Sequence, residues 1–255
     1  MAPNRRLSLV LLALVAAIGI RGASAATAPA AAPLLAEEMV MGNPQAKVTM
    51  VEYASASCPH CAAFNNDVFP AVKKKYIDTG KVKYVFREML TDPVPFAGSA
   101  FLIARCAGPD KYFAVLDEVF HQQAAIYQSR DLAGGLLKIA AKFGLTGEQV
   151  STCTSDERAI EGINDRVTKA SNDGFDSTPT FVIGETKLGG EKTLAQISAV
   201  IDPLLAKQGP PIDKARLAGV PRRQGRGHAL GAESRLTPRS DFSGNHPWPL
   251  FAAAF

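Results

Sequence analysis

The chain has 255 residues, of which 47% are hydrophobic and 20% are charged, and this balance is typical of a globular protein rather than a disordered or fibrous one. The net charge of +4 comes from the ends: three arginines precede residue 26, and residues 209–255 hold seven basic against three acidic side chains. The middle of the chain therefore carries about −3, which argues against a basic surface for nucleic acid.

Residues 1–25 have the three parts of a secretory signal peptide. An arginine pair comes first, the apolar run 7–20 follows, and the small-residue site Ala23-Ser24-Ala25 ends the segment. The apolar run is short for a membrane span, although Arg21, close to the proposed cut, keeps an uncleaved membrane anchor open as an alternative. We therefore expect a periplasmic or secreted protein, whose four cysteines can form disulfides.

The next segments predict a strand, a helix and a second strand. Residues 26–38 are rich in Ala and Pro and are expected to form a flexible leader. Residues 47–53 have the apolar, β-branched character of a buried strand, a helix follows to about Tyr76, and residues 81–86 form another strand. This βαβ order favours neighbouring parallel strands.

The second half of the chain is first helical and then returns to strands. Residues 96–173 show helical periodicity, and 180–183 with 186–188 predict a hairpin. Thr146 with Gln149 opens a helix as a capping box, and Thr193 with Gln196 caps a closing helix that Pro203 should bend or end. The folded domain is expected over 39–208, and the Pro-, Arg- and Gly-rich residues 209–255 are expected to be a disordered basic tail.

The motif Cys58-Pro59-His60-Cys61 stands where the first strand ends and a helix begins. A cysteine at the N-cap faces the unpaired amides of the first helical turn and the positive end of the helix dipole, which both stabilise a thiolate. Pro59 suits the first helical position, and a protonated or donating His60 would stabilise the anion further. Cys61 lies one turn on and can close a small disulfide ring. We predict that Cys58 is the exposed nucleophile and Cys61 the buried resolving thiol.

A C-x-x-C motif is also half of many zinc sites, so metal binding is the alternative to redox chemistry. Cys106 and Cys153 are solitary and far apart, and the sequence holds no second C-x-x-C and no H-x-x-x-H. This absence favours redox chemistry with no metal and no bound cofactor.

Residues 39–205 resemble the DsbA-like thiol:disulfide oxidoreductases. The resemblance rests on VEYASASCPHCAAF, on VKYVFRE, on the helical block and on DGFDSTPTFVIG. It implies an α/β, thioredoxin-like fold in which a central mixed sheet is flanked by helices and carries an inserted all-helical subdomain.

The resemblance also implies roles for residues outside the motif. The Thr178-Pro179 bond would be cis and face the active-site disulfide, and the backbone of Thr178 would pair with an extended substrate segment. Glu52 would help to move the proton of Cys61. Cys106 and Cys153 would form a structural disulfide within the insert, although two buried free thiols remain an alternative.

By the same resemblance, the activity would be the introduction of disulfide bonds into reduced or unfolded exported proteins, with a quinone-linked membrane partner as reoxidant. The short leader leaves no room for an N-terminal dimerisation domain, so a monomer is expected. Two alternatives stay open. One is a disulfide isomerase or reductase on the same fold, since Thr178 is often found before the cis-proline of isomerases, and the other is a chaperone-like binding protein without turnover.

Overall fold

The computed structural model describes residues 38–207, and these fold around one five-stranded mixed sheet. The strand order is β1-β3-β2-β4-β5, in which β2 and β3 are parallel and every other pair is antiparallel. The mixed sheet flanked by helices confirms the predicted fold class. The predicted signal peptide, nearly all of the leader and the tail lie outside the described residues.

Four of the five strands were predicted, each to within about two residues, and one was missed. The strands are β1 Met39–Gly42, β2 Val48–Ala54, β3 Val82–Glu88, β4 Thr180–Ile183 and β5 Thr186–Gly189. The missed strand is β1, whose four residues are too few to show a period of their own. It forms because β3 offers it an open edge, and Met39 lies opposite Phe86 in that pair.

Eight α-helices surround the sheet in the described residues. They are α1 Pro59–Ala63, α2 Phe69–Val72, α3 Val94–Cys106, α4 Pro109–Ser129, α5 Leu132–Lys142, α6 Gly147–Thr154, α7 Glu157–Asn172 and α8 Leu194–Lys207. The π-helical turn Phe64–Val68 joins α1 to α2, and a second one, Lys73–Ile77, extends α2, so that 59–77 is one helical stretch. The first of these turns precedes Pro70, which has no N–H to donate to the preceding turn of an α-helix.

Helices α3 to α7 form the predicted helical insert between β3 and β4. The Thr146 and Gln149 capping box is present in both directions, and Thr193 with Gln196 makes the same reciprocal pair before α8. Helix α8 continues through Pro203 to Lys207 and does not end at the proline. None of the helices in residues 38–207 is both long and apolar enough to cross a membrane.

Glu88, the last residue of β3, ties the insert to the sheet. Its carboxylate is 2% exposed and accepts two hydrogen bonds from Arg105 on α3, at 2.6 and 3.0 Å, and two from Arg166 on α7, at 2.9 and 2.7 Å. The Tyr112 hydroxyl of α4 donates a fifth at 3.0 Å. Three helices are therefore fixed on one buried anion, whose burial is offset by two cationic partners.

Candidate active site

The motif Cys58-Pro59-His60-Cys61 lies directly after β2, as the sequence predicts. Residues 55–57 form a buried turn, and Cys58 is the N-cap of α1 with φ −78° and ψ 121°. Pro59 is the first helical residue, and the Ala62 amide donates to the Cys58 carbonyl at 3.1 Å to close the first turn. The extended Cys58 backbone turns its side chain toward the amides of that turn.

The turn before Cys58 is held by side chains of α4, which sequence reasoning missed. The Gln123 amide donates to the carbonyls of Ala56 and Cys58 at 2.8 and 3.3 Å, and the Tyr127 hydroxyl donates to the Ser57 carbonyl at 3.0 Å. Gln123 is only 3% exposed, so its contacts are shielded from water. The helical insert therefore builds one wall of the site.

The two sulfurs have different surroundings. Cys58 is 7% exposed and Cys61 is 0% exposed, so the solvent-facing sulfur is Cys58, although it is far less open than predicted. A hydrogen bond from the Cys61 thiol lowers the pKa of Cys58 to about 5 against the opposing effect of burial. The Thr178 side chain and the backbone amides of Cys61 and His60 lower it further. At neutral pH Cys58 is therefore a thiolate.

Cys61 is held as a neutral thiol. Burial raises the pKa of Cys61 far above its usual range, and the hydrogen bond to Cys58 and the charges of Cys58 and Glu52 act in the same direction. One thiol of the pair is thus ionised and the other keeps its proton, which is the division that a nucleophile and a resolving thiol require.

The His60 imidazole points into solvent, with its side chain 73% exposed. Its Nδ1 lies 3.4 Å from the Glu191 carboxylate, in the segment after β5. The contribution of His60 to the lowered Cys58 pKa is that of its backbone amide. The sequence had assigned this effect to the ring, and no local signal pointed to Glu191, which is 131 residues away.

The Thr178-Pro179 peptide bond is cis, which confirms the prediction. The Cys58 sulfur lies 3.5 Å from the Thr178 carbonyl oxygen, so the loop before β4 covers the reactive sulfur. A second cis bond, Asp92-Pro93, which the sequence analysis did not anticipate, precedes α3. The Ser57 hydroxyl donates to the carbonyl of Thr91, which directly precedes this bond, at 2.7 Å. This hydrogen bond fixes the loop before α3 to the turn before Cys58.

Glu52 lies in β2 on the buried face of the sheet and is 3% exposed. The Tyr84 hydroxyl of β3 donates to its Oε2 at 2.7 Å. Burial raises the pKa of Glu52 to about 8, the Tyr84 hydrogen bond opposes that rise, and the charge of Cys58 adds to it. The carboxyl group is therefore mostly protonated at pH 7. Sequence reasoning found Glu52 but not Tyr84.

Cys106 and Cys153 form a disulfide that joins the end of α3 to α6, with their Cα atoms 6.1 Å apart. This separation is within the usual range for a bridge. Neither sulfur belongs to the cysteine motif, which has its own two free thiols.

The site brings together the side chains of Cys58, Cys61 and Glu52. Within residues 38–207, no group of three His, Cys, Asp or Glu side chains is placed to hold a metal ion. The arrangement offers a thiolate and a neighbouring thiol, which is the pair that thiol-disulfide exchange uses, together with a buried acid that can hold a proton.

Comparison with known proteins agrees with this geometry. A family model described as "Thioredoxin" matches residues 35–203. A Rickettsia bellii protein named "Putative protein-disulfide oxidoreductase" is 33% identical over 180 residues, covering 69% of this chain and 68% of that protein. A Rickettsia felis protein of the same name is 32% identical over 176 residues, covering 67% and 61%. The chain thus spans about two thirds of the length of these curated relatives.

A similar structure has also been solved. The crystal structure of Wolbachia pipientis alpha-DsbA1 superposes with a TM-score of 0.62 at 33% identity, covering 67% of this chain and 92% of that one.

Proposed function

The chain belongs to the thioredoxin family and, within it, to the DsbA-like thiol:disulfide oxidoreductases, and from this premise we propose that it oxidises cysteine pairs of exported proteins to disulfides. The observation that carries the proposal is the contrast between the two sulfurs, a Cys58 thiolate and a neutral Cys61. A thiol of low pKa is a good leaving group, so the Cys58 to Cys61 disulfide is readily given to a substrate.

The proposed reaction starts from the oxidised protein. A substrate thiolate attacks Cys58 Sγ, the bond between the two active-site sulfurs breaks, and Cys61 leaves with the electron pair. Glu52, protonated at neutral pH, supplies the proton that makes Cys61 a neutral thiol. A second substrate thiolate then attacks the substrate sulfur of the mixed disulfide and releases Cys58 as a thiolate. The substrate has lost two electrons and the protein has gained them.

Substrate would be held beside the cis-proline. The Thr178 carbonyl already lies within 3.5 Å of the Cys58 sulfur, so an extended chain pairing with the Thr178 backbone would bring its own cysteine to that sulfur. Backbone pairing is independent of side-chain identity, which suits a protein that accepts many unfolded substrates. The protein would act as a monomer in the periplasm or outside the cell.

Repeated turnover needs an oxidant for the reduced pair. In the proposed cycle a quinone-linked membrane protein takes the two electrons from Cys58 and Cys61 by another disulfide exchange. The alternative is an isomerase or reductase kept reduced by a partner, and Thr178 before the cis-proline is the observation in its favour. A chaperone-like binding protein without turnover would not require one ionised and one neutral cysteine.

The test combines an activity with a redox potential. The oxidised protein is mixed with a reduced, unfolded protein whose native disulfides restore a measurable activity, and Cys58→Ser serves as the inactive control. The potential of the cysteine pair, measured against glutathione, should lie nearer the roughly −120 mV of DsbA, a member of this family, than the roughly −270 mV of thioredoxin. A potential near that of thioredoxin, with rapid reshuffling of scrambled disulfides, would favour the isomerase.

A further inference from the structure

Tyr84 is a buried tyrosine whose hydroxyl is aimed at the acid beside the resolving cysteine. Its hydroxyl donates to Glu52 Oε2 at 2.7 Å, and both residues are 3% exposed. The ring is fixed on two sides, by Phe69 at 4.8 Å and by Phe113 at 5.9 Å between ring centroids. The direction of the hydroxyl is therefore set by packing and does not depend on solvent.

We infer that Tyr84 is a positioning residue that sets how Glu52 exchanges a proton with Cys61, an inference that rests on the proposed function. A neutral carboxyl group has one oxygen that carries the proton and one that accepts. Because Tyr84 donates to Oε2, the proton lies on Oε1. The hydrogen bond therefore decides which oxygen of Glu52 is available to the cysteine.

The hydrogen bond also keeps the pKa of Glu52 close to neutral pH, so that both the protonated carboxyl group and the carboxylate can take part in the cycle. Glu52 interacts electrostatically with Tyr84 from β3 and with the two cysteines of the motif. Tyr84 in turn interacts electrostatically with Tyr112 of α4. On β4, Phe181 lies opposite Glu52 and is apolar. Burial raises the pKa of Tyr84 well above its usual value, so the hydroxyl stays a donor throughout the physiological pH range.

Glu52 would act in both halves of the cycle. When substrate reduces the disulfide, the protonated acid gives its proton to the departing Cys61 thiolate. When a disulfide-containing oxidant reacts with Cys58, the carboxylate must take the Cys61 proton, so that Cys61 can attack Cys58 Sγ and expel the oxidant's thiolate. Without the Tyr84 hydrogen bond the Glu52 carboxylate is less stable. Reoxidation, which needs this carboxylate as a base, should therefore slow, whereas reduction by substrate should not.

The experiment is Tyr84→Phe, which removes one oxygen atom. Reduced protein is mixed with glutathione disulfide, and the decay of the Cys58-glutathione mixed disulfide is followed by acid quench and mass spectrometry. At pH 7 this step should slow by about tenfold, because loss of a hydrogen bond to a charged group raises the proton affinity of Glu52 by about that factor. Reduction of the oxidised protein by a dithiol peptide should stay within about twofold, because Glu52 is already protonated.

The chain offers a matched control in Tyr112→Phe. Tyr112 is 0% exposed, and its hydroxyl also donates to a buried carboxylate, that of Glu88, at 3.0 Å. This variant should leave both half-reactions unchanged. The two variants therefore distinguish the effect of losing any buried tyrosine hydroxyl from the effect of losing the hydroxyl that donates to Glu52.

A double-variant comparison tests whether Tyr84 acts through Glu52. In a Glu52→Gln background, Tyr84→Phe should produce no further slowing. If Tyr84→Phe slows both half-reactions equally, slows neither, or adds its full effect in the Glu52→Gln background, the inference is wrong. If Tyr84→Phe does not fold, fluorotyrosine at position 84 replaces it. Its more acidic hydroxyl is a stronger donor, so it should speed the decay of the mixed disulfide, and an unchanged or slower decay would overturn the inference.

Failure of this inference is distinguishable from failure of the proposed function. If the unaltered protein does not oxidise a reduced substrate, the proposed function fails whatever the tyrosine variants do. If the unaltered protein is active and Tyr84→Phe behaves like Tyr112→Phe, only the role of Tyr84 is lost.

Discussion

At the scale of single residues, two glutamates on one face of the sheet show how surroundings decide the role of a carboxyl group. Glu52 in β2 and Glu88 in β3 are one diagonal step apart in the ladder, and both are almost fully buried. Glu88 accepts hydrogen bonds from two guanidinium groups, whereas Glu52 accepts one from a tyrosine hydroxyl and interacts electrostatically with the two active-site cysteines. The first is paired with two cations, and the second is kept protonated until about pH 8.

The raised pKa of Glu52 predicts a stability cost that grows with pH. The folded protein holds a proton that the unfolded chain releases near the ordinary glutamate pKa of 4.5, so stability falls as the pH rises from there to about 8 and levels off above. Glu52→Gln removes the penalty and should stabilise the protein by about 3 kcal/mol at pH 7. Urea unfolding at pH 5 and pH 8 measures this, and the gain should be larger at pH 8.

Glu88→Gln is the matched control, because it makes the same chemical change at a buried carboxylate. It leaves Arg105 and Arg166 without their anion, and should destabilise the protein by about 3 kcal/mol or more. A destabilising effect of Glu52→Gln at pH 8, similar to that of Glu88→Gln, would show that Glu52 is ionised and paired in the folded state.

The opposite pKa shifts of Cys58 and Cys61 predict which cysteine variant accumulates mixed disulfides with substrates. Cys61→Ser keeps the Cys58 nucleophile and removes the thiol that resolves mixed disulfides, so it should accumulate disulfide-linked complexes with exported proteins. Cys58→Ser should accumulate none. Alkylation in acid followed by non-reducing electrophoresis counts the complexes, and the opposite pattern would reverse the two assignments.

At the level of secondary structure, helices of the insert stabilise the site, and two of them are joined by a disulfide. Helix α4 binds the carbonyls of the cysteine turn through Gln123 and Tyr127. Helix α3 is joined to α6 by the Cys106 to Cys153 disulfide, across 47 residues of sequence. The bridge therefore constrains the insert in the unfolded chain without touching the reactive sulfurs.

Removal of that bridge should separate stability from chemistry. In the chain-entropy model, the double variant Cys106→Ala with Cys153→Ala loses about 4 kcal/mol of unfolding free energy. The thiolate absorbance of Cys58 at 240 nm should titrate as in the unaltered protein, because the hydrogen bonds that lower the Cys58 pKa come from the motif and from Thr178. A shifted titration would mean that the bridge also holds the active-site turn in place.

At the scale of the whole molecule, the active site couples redox state to stability. Reduction creates the Cys58 thiolate, which the fold stabilises, whereas the disulfide cannot receive that stabilisation. The folded pKa is about 5 and the unfolded thiol titrates near its ordinary value of 9.0. The contribution of Cys58 to the stability of the reduced form is therefore complete above pH 9 and is lost as the pH falls toward 5.

The reduced protein should consequently melt at a higher temperature than the oxidised protein at pH 7. Only about half of the Cys58 pKa shift acts at pH 7, so the difference should be about 2 to 3 kcal/mol, or roughly 4 to 12 °C for a domain of this size. Differential scanning calorimetry of both forms at pH 7 and pH 5 tests it, and the gap should nearly close at pH 5. An oxidised form that melts higher at pH 7 would support the reductase alternative.

Features that depend on neighbours along the chain can be predicted from the amino-acid sequence alone. The place of Cys58 at the start of a helix follows from a strand, a turn and Pro59 in immediate succession, and the Thr146 and Gln149 capping box spans only three residues. The four predicted strands and the helical insert follow from local periodicity in the same way. Glu52 was singled out through the family resemblance.

The distant side chains that complete the site could not be predicted, because the fold brings them to the cysteines from far along the chain. Tyr84 lies 32 residues from Glu52, and Gln123 lies 67 residues from Ala56. The first pair meets because β2 and β3 are parallel in a register that places Met50 opposite Tyr84, and the second because α4 packs beside the cysteine turn. Register and helix packing are fixed by burial across the whole core, and local sequence periodicity carries no record of them.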